Sequence, residues 1–309
     1  MKKYIRIMRL DHWIKQFFIV PGCICAIILA DIRFDASFIF NIIAGFFATC
    51  LIASSNYVIN EYLDAKFDKF HPTKKHRSVV SEGVDAKIVW ILWAVLAVAG
   101  FVLGSLINVP FLMMEIFLWV MGILYNVKPF RTKDIAILDV LSESVNNAIR
   151  LLMGWFIFTE TTLPPSSIIL GYWMGGAFLM ATKRYSEYRM INNPELAGSY
   201  RKSFKFYTEK SLLLSAFYYA MLSVFFVGIF LIKYRIELVL IIPVLIGLFS
   251  YYFYISFKAD SAAQKPEKLY REKGLMLYVL FFILAFSVLA FVDMPWLDFL
   301  TTHDLIHIK

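Results

Sequence analysis

Nine long apolar runs divide this 309-residue sequence, and they constrain its fold more than any other feature. They cover residues 16–31, 38–58, 88–107, 110–127, 135–158, 166–182, 211–232, 236–257 and 275–297. A helix needs about 20 predominantly apolar residues to cross the hydrocarbon core of a bilayer, and each run is close to that length. The sequence therefore predicts an all-α integral membrane protein, a bundle of nine transmembrane helices that forms a single domain over residues 1–309.

The composition agrees with a membrane bundle. Hydrophobic residues make up 60% of the chain and charged residues 17%, whereas a soluble domain has about 45–50% apolar and about 25% charged residues. This excludes a disordered chain, a coiled coil and an ordinary soluble enzyme. Three cysteines, Cys23, Cys25 and Cys50, lie inside apolar runs, which predicts plain packing rather than a disulfide or a metal site.

The 31 Lys and Arg residues are distributed unevenly between the connections. The connections 1–15, 59–87, 128–134, 183–210 and 258–274 hold 26 of them, while the alternate connections hold four and the fifth run holds one. Because basic residues collect on the cytoplasmic side of a membrane, we expect a cytoplasmic N-terminus and an external C-terminus. We also expect a location in the inner (plasma) membrane, with the working surface facing the cytoplasm. Topology explains most of the net charge of +8, so nucleic acid is not an expected partner.

A polar stripe follows the second apolar run. Asn60, Asp64 and Asp68 are spaced four residues apart, and each such step rotates only about 40° around an α-helix, so the three side chains share one face. Carboxylates on one face repel unless a cation intervenes, and Mg²⁺ binds through one or two carboxylates plus substrate phosphates. The alternative is a solvated helix end in which Lys66 and Lys69 are the partners of the acids.

A basic loop comes directly after this stripe and has the sequence His71-Pro72-Thr73-Lys74-Lys75-His76-Arg77. Lys74 and Arg77 beside a carboxylate-bound Mg²⁺ ion predict a diphosphate site, because both kinds of cation neutralise phosphate oxygens. The excess of positive charge on the cytoplasmic side is the alternative explanation for this loop.

The fifth run carries a second polar stripe, in which Asp139, Glu143, Asn146 and Arg150 are spaced by four, three and four residues. A charge at the centre of a membrane helix costs about 2.5–3.5 kcal/mol, so these side chains must face a wet cavity or pair internally, for instance Glu143 with Arg150. The stripe is then either a cavity wall opposite the metal site or a structural ion pair that holds the bundle together.

Charged residues at the end of the sixth run extend the predicted site. Lys183 and Arg184 precede Glu187, and the guanidinium fork of Arg184 matches phosphate oxygens. Lys183 and Glu187 are also spaced to pair with each other. The basic loop 185–210 that follows is expected to be an amphipathic cap or a headgroup-binding surface.

A short cytoplasmic loop supplies further candidates. Lys128, Arg131 and Lys133 are close enough in sequence to reach the same mouth, although topology alone also explains basic residues there. Tyr125 either is an interface aromatic or hydrogen-bonds substrate. Glu115, inside the fourth run, is expected to be a buried structural polar group.

Together these motifs resemble the UbiA superfamily of intramembrane prenyltransferases, and within it the polyprenyl-phosphate phosphoribosyltransferase branch (decaprenyl-phosphate 5-phosphoribosyltransferase-like). The resemblance covers about residues 5–190 and lies in the segments Arg9-Leu10-Asp11-His12-Trp13-Ile14-Lys15-Gln16, Asn60 to Asp68, His71 to Ser78, and Lys183-Arg184-Tyr185-Ser186-Glu187. Glu61, Gln16 and Ser78 depart from the pattern of the branch, where Asp, Asn and Pro are usual.

The resemblance implies a nine-helix UbiA-like bundle with Mg²⁺ as cofactor, held by Asn60, Asp64 and Asp68. It implies transfer of 5-phosphoribose from 5-phosphoribosyl diphosphate to a polyprenyl phosphate lipid, with release of diphosphate. In that reaction Asp139 or Glu143 would bind ribose hydroxyls. Besides the three metal ligands, the expected substrate-binding residues are Lys15, Lys74, Arg77, Tyr125, Lys128, Lys133, Asp139, Glu143, Asn146, Arg150, Lys183, Arg184 and Glu187.

Two alternatives remain open. The first is transfer of a prenyl group from a prenyl diphosphate to an aromatic or other ring acceptor. Relatives with that activity usually carry a second D-x-x-x-D motif after the sixth run, whereas residues 185–210 contain no Asp, which favours phosphoribosyl transfer. The second is a transporter or channel, but the sequence has no inverted repeat or paired broken helices.

Overall fold

The protein is described here by a computed structural model that covers residues 2–30, 32, 37–70, 77–81, 83–258, 261–264 and 266–300. Within these residues all regular structure is helical. The α-helices are α1 (Lys2–Ile7), α2 (Val20–Leu29), α3 (Ser37–Asp68), α4 (Ser78–Ser81), α5 (Ala86–Ser105), α6 (Val109–Asn126), α7 (Leu138–Phe156), α8 (Ser166–Ile191), α9 (Pro194–Tyr200), α10 (Glu209–Tyr234), α11 (Ile242–Ser256) and α12 (Lys273–Phe291). A 3-10 helix, Leu10–Ile19, leads into α2.

Seven helical segments of the described chain are long and apolar enough to cross a membrane. They are Lys2–Leu29, Ser37–Asp68, Ala86–Ser105, Val109–Asn126, Glu209–Tyr234, Ile236–Ser256 and Lys273–Phe291, and they coincide with seven of the predicted runs. The other two runs form α7, with 19 residues, and α8, with 26 residues, which are long enough but more polar. A multi-pass helical membrane protein is confirmed, while nine crossings and the orientation of the termini stay predictions.

Helix α3 continues well beyond the apolar run that predicted it. The run ends near residue 58, but the helix has 32 residues and ends at Asp68. At 1.5 Å per residue it is about 48 Å long, compared with about 30 Å for the hydrocarbon core of a bilayer. The stripe of Asn60, Asp64 and Asp68 therefore lies on the last turns of a continuous helix, as its spacing predicted.

Helix α7 lies in the middle of the bundle and packs against α2, α6 and α8. It meets α2 through two glycines. A Cβ atom at Gly22 would lie 1.9 Å from the carbonyl oxygen of Leu151, and one at Gly154 would lie 2.0 Å from the carbonyl oxygen of Ile19. Glycine has no side chain, so the two helix backbones can approach this closely. Gly154 lies four residues after Arg150 and on the same face of α7, so this face is directed toward neighbouring helices rather than lipid.

Two apolar cores flank this central helix. One is built from buried residues of α2, α3, α6 and α7, for example Ile52, Leu118 and Met153. The other lies among α8, α10, α11 and α12, for example Phe178 and Ile255. The polar side chains described below lie between the ends of helices from both cores.

The segment 194–207 forms the cap predicted from the basic loop. It consists of α9 and the 3-10 helix Lys202–Lys205, and it is held by the buried aromatic residues Tyr185, Tyr200, Phe204 and Tyr207. Helix α8 extends to Ile191, nine residues beyond the predicted end of the sixth run, so Lys183 and Glu187 are helical rather than part of a loop. A headgroup-binding role for the cap stays a prediction.

Candidate active site

The centre of the site is Asp64, on the polar stripe of α3. Its Oδ1 atom lies 2.5 Å from Nζ of Lys133 and 2.9 Å from Nη2 of Arg131. Both cations come from the short loop that follows α6. Lys66 and Lys69 are exposed, with their ammonium groups over the rings of Phe67 and Phe70, so they are not the partners that the solvated-end alternative required.

Asn126 links the same cations to the first member of the stripe. Its Oδ1 accepts a hydrogen bond from Nδ2 of Asn60 at 2.5 Å and another from Nζ of Lys133 at 2.7 Å. Lys133 is 4% exposed. Burial lowers the pKa of Lys133 to about 8, while the carboxylate of Asp64 opposes this shift. The ammonium group of Lys133 therefore serves as an internal counter-ion of the stripe.

The third member of the stripe, Asp68, has a different partner. Its Oδ2 accepts a hydrogen bond from Nη1 of Arg77 at 2.7 Å, and Asp68 is almost fully buried. The structure thus brings Arg77 to the acidic stripe, as the sequence predicted. Lys74 lies outside the described residues, together with His71 and His76.

A small polar pocket opens beside this network. Its lining residues come from α3, from the loop after α6 and from the cap, and they are Asp64, Phe67, Asp68, Arg131, Lys133, Asp134, Tyr200, Arg201 and Lys202. The cap closes one side, where Nζ of Lys202 lies 3.5 Å from Oδ2 of Asp134. Four of the nine lining residues carry a positive charge and three carry a negative charge.

A second charged network lies between α7 and α8. Arg184 is fully buried; its Nη2 bonds Oε2 of Glu143 and also lies 3.0 Å from the hydroxyl of Tyr125. That hydroxyl donates to Oε2 of Glu143 at 2.8 Å, and Nζ of Lys183 lies 3.5 Å from Oε1. Tyr125 is therefore an interior hydrogen-bonding residue and not an interface aromatic. The predicted pair of Glu143 with Arg150 is wrong, because closer cations from α8 reach Glu143 first.

Asp139 joins this network to the cap. Its Oδ2 lies 3.2 Å from Nε of Arg184 and 3.0 Å from the hydroxyl of Ser203, and its Oδ1 accepts from the hydroxyl of Tyr207 at 2.7 Å. Asp139 and Arg184 have no exposed surface. The structure therefore corrects two expectations: Asp139 does not offer its oxygens to a sugar hydroxyl, and Arg184 does not face a phosphate. Both hold other groups in position.

The structure places the remaining predicted residues in three different surroundings. Lys128 is exposed and has no described side-chain partner, so its predicted contact with the mouth of the site is not supported. Nζ of Lys15 lies 3.0 Å from Nδ1 of His12. Glu187 is buried and accepts from the hydroxyl of Tyr200 at 3.1 Å, which ties α8 to the cap.

Two members of the α7 stripe lie deeper in the bundle. Nε of Arg150 donates to Oε1 of Gln16 at 2.7 Å, and its Nη1 donates to the backbone carbonyl of Asn146 at 3.1 Å. Gln16 is fully buried. This contact gives the departure from Asn at position 16 a physical role, because the longer side chain reaches Arg150. Glu115, with no exposed surface, is buried as predicted.

Sequence reasoning missed two important residues. Arg201 lines the pocket and reaches the second network, with Nη1 3.4 Å from the hydroxyl of Tyr125 and 3.8 Å from Oδ2 of Asp139. No spacing pattern distinguishes it from the other cations of the cap. Asn126 was not predicted as a site residue, although a polar residue at the end of an apolar run was a usable signal.

The chain was compared with known protein families and with curated relatives. Residues 18–284 match the UbiA prenyltransferase family. The decaprenyl-phosphate phosphoribosyltransferase of Mycolicibacterium smegmatis is 28% identical over 67% of this chain and 63% of that protein, so the match spans less than two thirds of the relative. The decaprenyl-phosphate phosphoribosyltransferase of Mycobacterium tuberculosis (strain CDC 1551 / Oshkosh) is 24% identical over 67% of each chain.

Solved structures agree on the fold. A UbiA homolog from Archaeoglobus fulgidus bound to DMAPP and Mg²⁺ superposes with a TM-score of 0.69 at 17% identity, covering 94% of this chain and 100% of that one. The apo structure of a UbiA homolog from Aeropyrum pernix K1 gives a TM-score of 0.64 at 15% identity, covering 92% and 99%. The predicted superfamily is confirmed, and the chain belongs to the UbiA prenyltransferase family of membrane-embedded transferases.

Proposed function

We propose that this protein transfers 5-phosphoribose from 5-phosphoribosyl diphosphate to a polyprenyl phosphate at the cytoplasmic face of the inner membrane, with Mg²⁺ as cofactor. The observation that carries the proposal is the polarity of the pocket, in which Phe67 is the only lining residue without a polar or charged group. Phosphates and sugar hydroxyls bind to cations and carboxylates, whereas the tail of a prenyl donor requires apolar walls. The similarity to two decaprenyl-phosphate phosphoribosyltransferases supports the same donor and acceptor.

The stripe of α3 fits a magnesium ion that binds together with substrate. Within the described residues, no three His, Cys, Asp or Glu side chains cluster to hold a metal ion by themselves. Mg²⁺ in phosphate-transfer sites takes one or two carboxylates and completes its shell with water and substrate phosphates. Asp64 lines the pocket, and Asn60 uses Nδ2 for Asn126, which leaves the Oδ1 of Asn60 available. Asn60, Asp64 and Asp68 would hold the ion, which when bound draws negative charge from the leaving diphosphate.

The positively charged side chains of the pocket would also stabilise the negative charge of the leaving diphosphate. Arg131 and Lys133, which contact Asp64 and line the pocket, would stabilise the charge that develops on the diphosphate oxygens as the bond to ribose breaks. Arg201 and Lys202 from the cap would neutralise the donor from the opposite side of the pocket. Together these four positively charged side chains can neutralise a donor that carries both a diphosphate and a separate 5-phosphate.

The acceptor needs little activation. The bond from C1 of ribose to the diphosphate oxygen breaks, and an oxygen of the polyprenyl phosphate forms the new bond to C1. A phosphate monoester is already anionic at pH 7, so no strong general base is required. This agrees with the second network, in which Asp139 and Glu143 are both paired with Arg184 rather than free to act as a base.

Prenyl transfer is the second candidate, because the family takes its name from that reaction and one solved relative is bound to DMAPP. The deciding experiment uses purified protein in detergent with Mg²⁺. One reaction contains labelled 5-phosphoribosyl diphosphate and polyprenyl phosphate, and the other contains prenyl diphosphate and aromatic acids. We expect a labelled lipid product from the first mixture alone. Product from the second mixture alone would replace the proposal with prenyl transfer.

A further inference from the structure

Arg150 is a cation in the interior of the bundle whose partners are all neutral. Its guanidinium group donates to the side-chain oxygen of Gln16 and to the carbonyl of Asn146. It forms no ion pair with any carboxylate among the described residues. The side-chain oxygen of Asn146 is itself buried without a hydrogen-bond partner. Among the described residues, Arg150 is therefore left without a direct ion pair and the side-chain oxygen of Asn146 without a hydrogen bond.

The other cations between the helices are compensated. Arg131 and Lys133 contact Asp64, and Arg184 contacts Asp139 and Glu143. Removing a charge from water costs several kcal/mol, which a counter-charge must offset. An arginine between the helices that is hydrogen-bonded only to neutral groups, with no described carboxylate within ion-pair distance and only a longer-range interaction with Glu143, points to an anion that is supplied by a ligand.

The position of Arg150 separates it from the donor pocket. It lies seven residues after Glu143 on α7, which is about 10 Å further along the helix. It interacts electrostatically with the phenol of Tyr57, and Tyr57 lies seven residues before Asp64 on α3, again about 10 Å away along the helix axis. Arg150 is therefore about two helical turns deeper in the bundle than the acidic stripe.

We propose that Arg150, positioned by Gln16, binds the phosphate of the acceptor lipid. This inference rests on the proposed function. The planar guanidinium group offers paired donors that match two phosphate oxygens, and both Nε and Nη1 are already fixed in direction by neutral acceptors. A lipid phosphate held here would approach the donor pocket from the membrane interior, while the diphosphate leaves toward Asp64.

The test measures binding to the full-length protein in detergent. The probes are farnesyl monophosphate for the acceptor, 5-phosphoribosyl diphosphate for the donor, and inorganic phosphate. We expect Arg150→Gln to lower the affinity for farnesyl monophosphate at least 10-fold. The Kd of the donor and the weak binding of inorganic phosphate should stay unchanged. Arg150→Lys should recover part of the loss, because it restores the charge without the fork.

Two further variants make the result interpretable. Arg235→Gln removes an arginine that is paired with Asp293 at 2.9 Å near the end of α10, and it should not change the affinity for farnesyl monophosphate. Gln16→Ala keeps the charge of Arg150 but removes the hydrogen bond that orients its guanidinium group. We expect this variant to bind farnesyl monophosphate about three- to fivefold more weakly. Gln16→Ala decides the question if Arg150→Gln does not fold, since unchanged affinity in that variant overturns the inference.

The outcomes separate the inference from the proposed function. Unchanged binding of farnesyl monophosphate to Arg150→Gln, with a lower melting temperature, makes Arg150 a structural residue and overturns the inference. Loss of donor affinity instead assigns Arg150 to the donor and also overturns it. If the wild-type protein makes no phosphoribosylated lipid but Arg150→Gln still loses farnesyl monophosphate selectively, the proposed function fails and the lipid-phosphate site stands.

Discussion

Nζ of Lys133 lies 2.5 Å from Oδ1 of Asp64 and 2.7 Å from Oδ1 of Asn126, between the acidic stripe and the end of α6. A partly buried carboxylate without a positive partner is costly, and the ammonium group of Lys133 offsets the charge of Asp64. The same group is close enough to the pocket to meet a phosphate. Lys133 is therefore placed to contact both Asp64 and a diphosphate bound in the pocket.

Asp64→Asn should reduce turnover at least about 100-fold, because the variant loses the charge that Mg²⁺ and the cations of the site share. Binding of Mn²⁺ as a probe of the magnesium site, followed by electron paramagnetic resonance in the presence of diphosphate, should be lost in parallel. Asp85→Asn is the matched control. Asp85 caps α5 by accepting from the backbone nitrogen of Lys87, and asparagine caps equally well. Full turnover by Asp64→Asn would remove the metal role from this stripe.

Lys133→Met should lower kcat/KM for the diphosphate donor about 10–100-fold, which corresponds to about 1.4–2.7 kcal/mol of lost stabilisation of the transition state. Steady-state kinetics with varied donor concentration measure this effect. Lys128→Met in the same loop is the control, because Lys128 is exposed and lacks a described partner. An equal loss of kcat/KM in the two variants would mean that Lys133 acts only through the overall positive charge of the loop and not through a specific contact.

Tyr207→Phe should loosen the cap. The hydroxyl accepts from the backbone nitrogen of Ile137 at 2.6 Å and donates to Asp139 at 2.7 Å, and each buried group left without a partner costs about 1–3 kcal/mol. We expect a lower melting temperature and a higher KM for the donor, because Arg201 is carried by the same segment. Tyr218→Phe, at a position that is 60% exposed, should change neither quantity. A normal KM with a lower melting temperature would limit Tyr207 to a structural role.

Gly22→Ala and Gly154→Ala should each destabilise the bundle by about 1–3 kcal/mol or more, because the new methyl group overlaps the backbone of the facing helix. Gly228→Ala is the control. A Cβ at Gly228 would have its nearest neighbour, Cδ1 of Ile242, at 3.6 Å, which is ordinary contact. Thermal unfolding in detergent compares the three variants, and wild-type melting temperatures for the first two would contradict the close approach of α2 and α7.

The apolar runs located the membrane helices well because apolar length is a local property of the sequence. The predicted end of the second run, at residue 58, fell ten residues short of the end of α3 at Asp68. Hydrophobicity stops there, but the residues from Asn60 to Asp68 are still compatible with a helix. The spacing of Asn60, Asp64 and Asp68 nevertheless predicted their common face, because helical periodicity applies whether or not the residues lie in lipid.

The partners of the polar residues were not predictable in the same way. The spacing on α7 showed that Asp139 and Glu143 share a face, but the cation that reaches both, Arg184, is 45 and 41 residues further along the chain. Arg201 reaches the same network from the cap. Pairing between different elements depends on tertiary packing, and a single sequence contains no periodic signal for it.

The close contact between α2 and α7 limits where a long lipid can enter. Two helices whose backbones touch through glycine have no side-chain layer that can rearrange to let a chain pass. Helix α12 is the opposite case, because Leu275 is its only buried residue among those described. A sideways opening toward the bilayer would disrupt less packing at α12 than at the contact between α2 and α7, so we expect the proposed polyprenyl phosphate acceptor to enter the bundle beside α12.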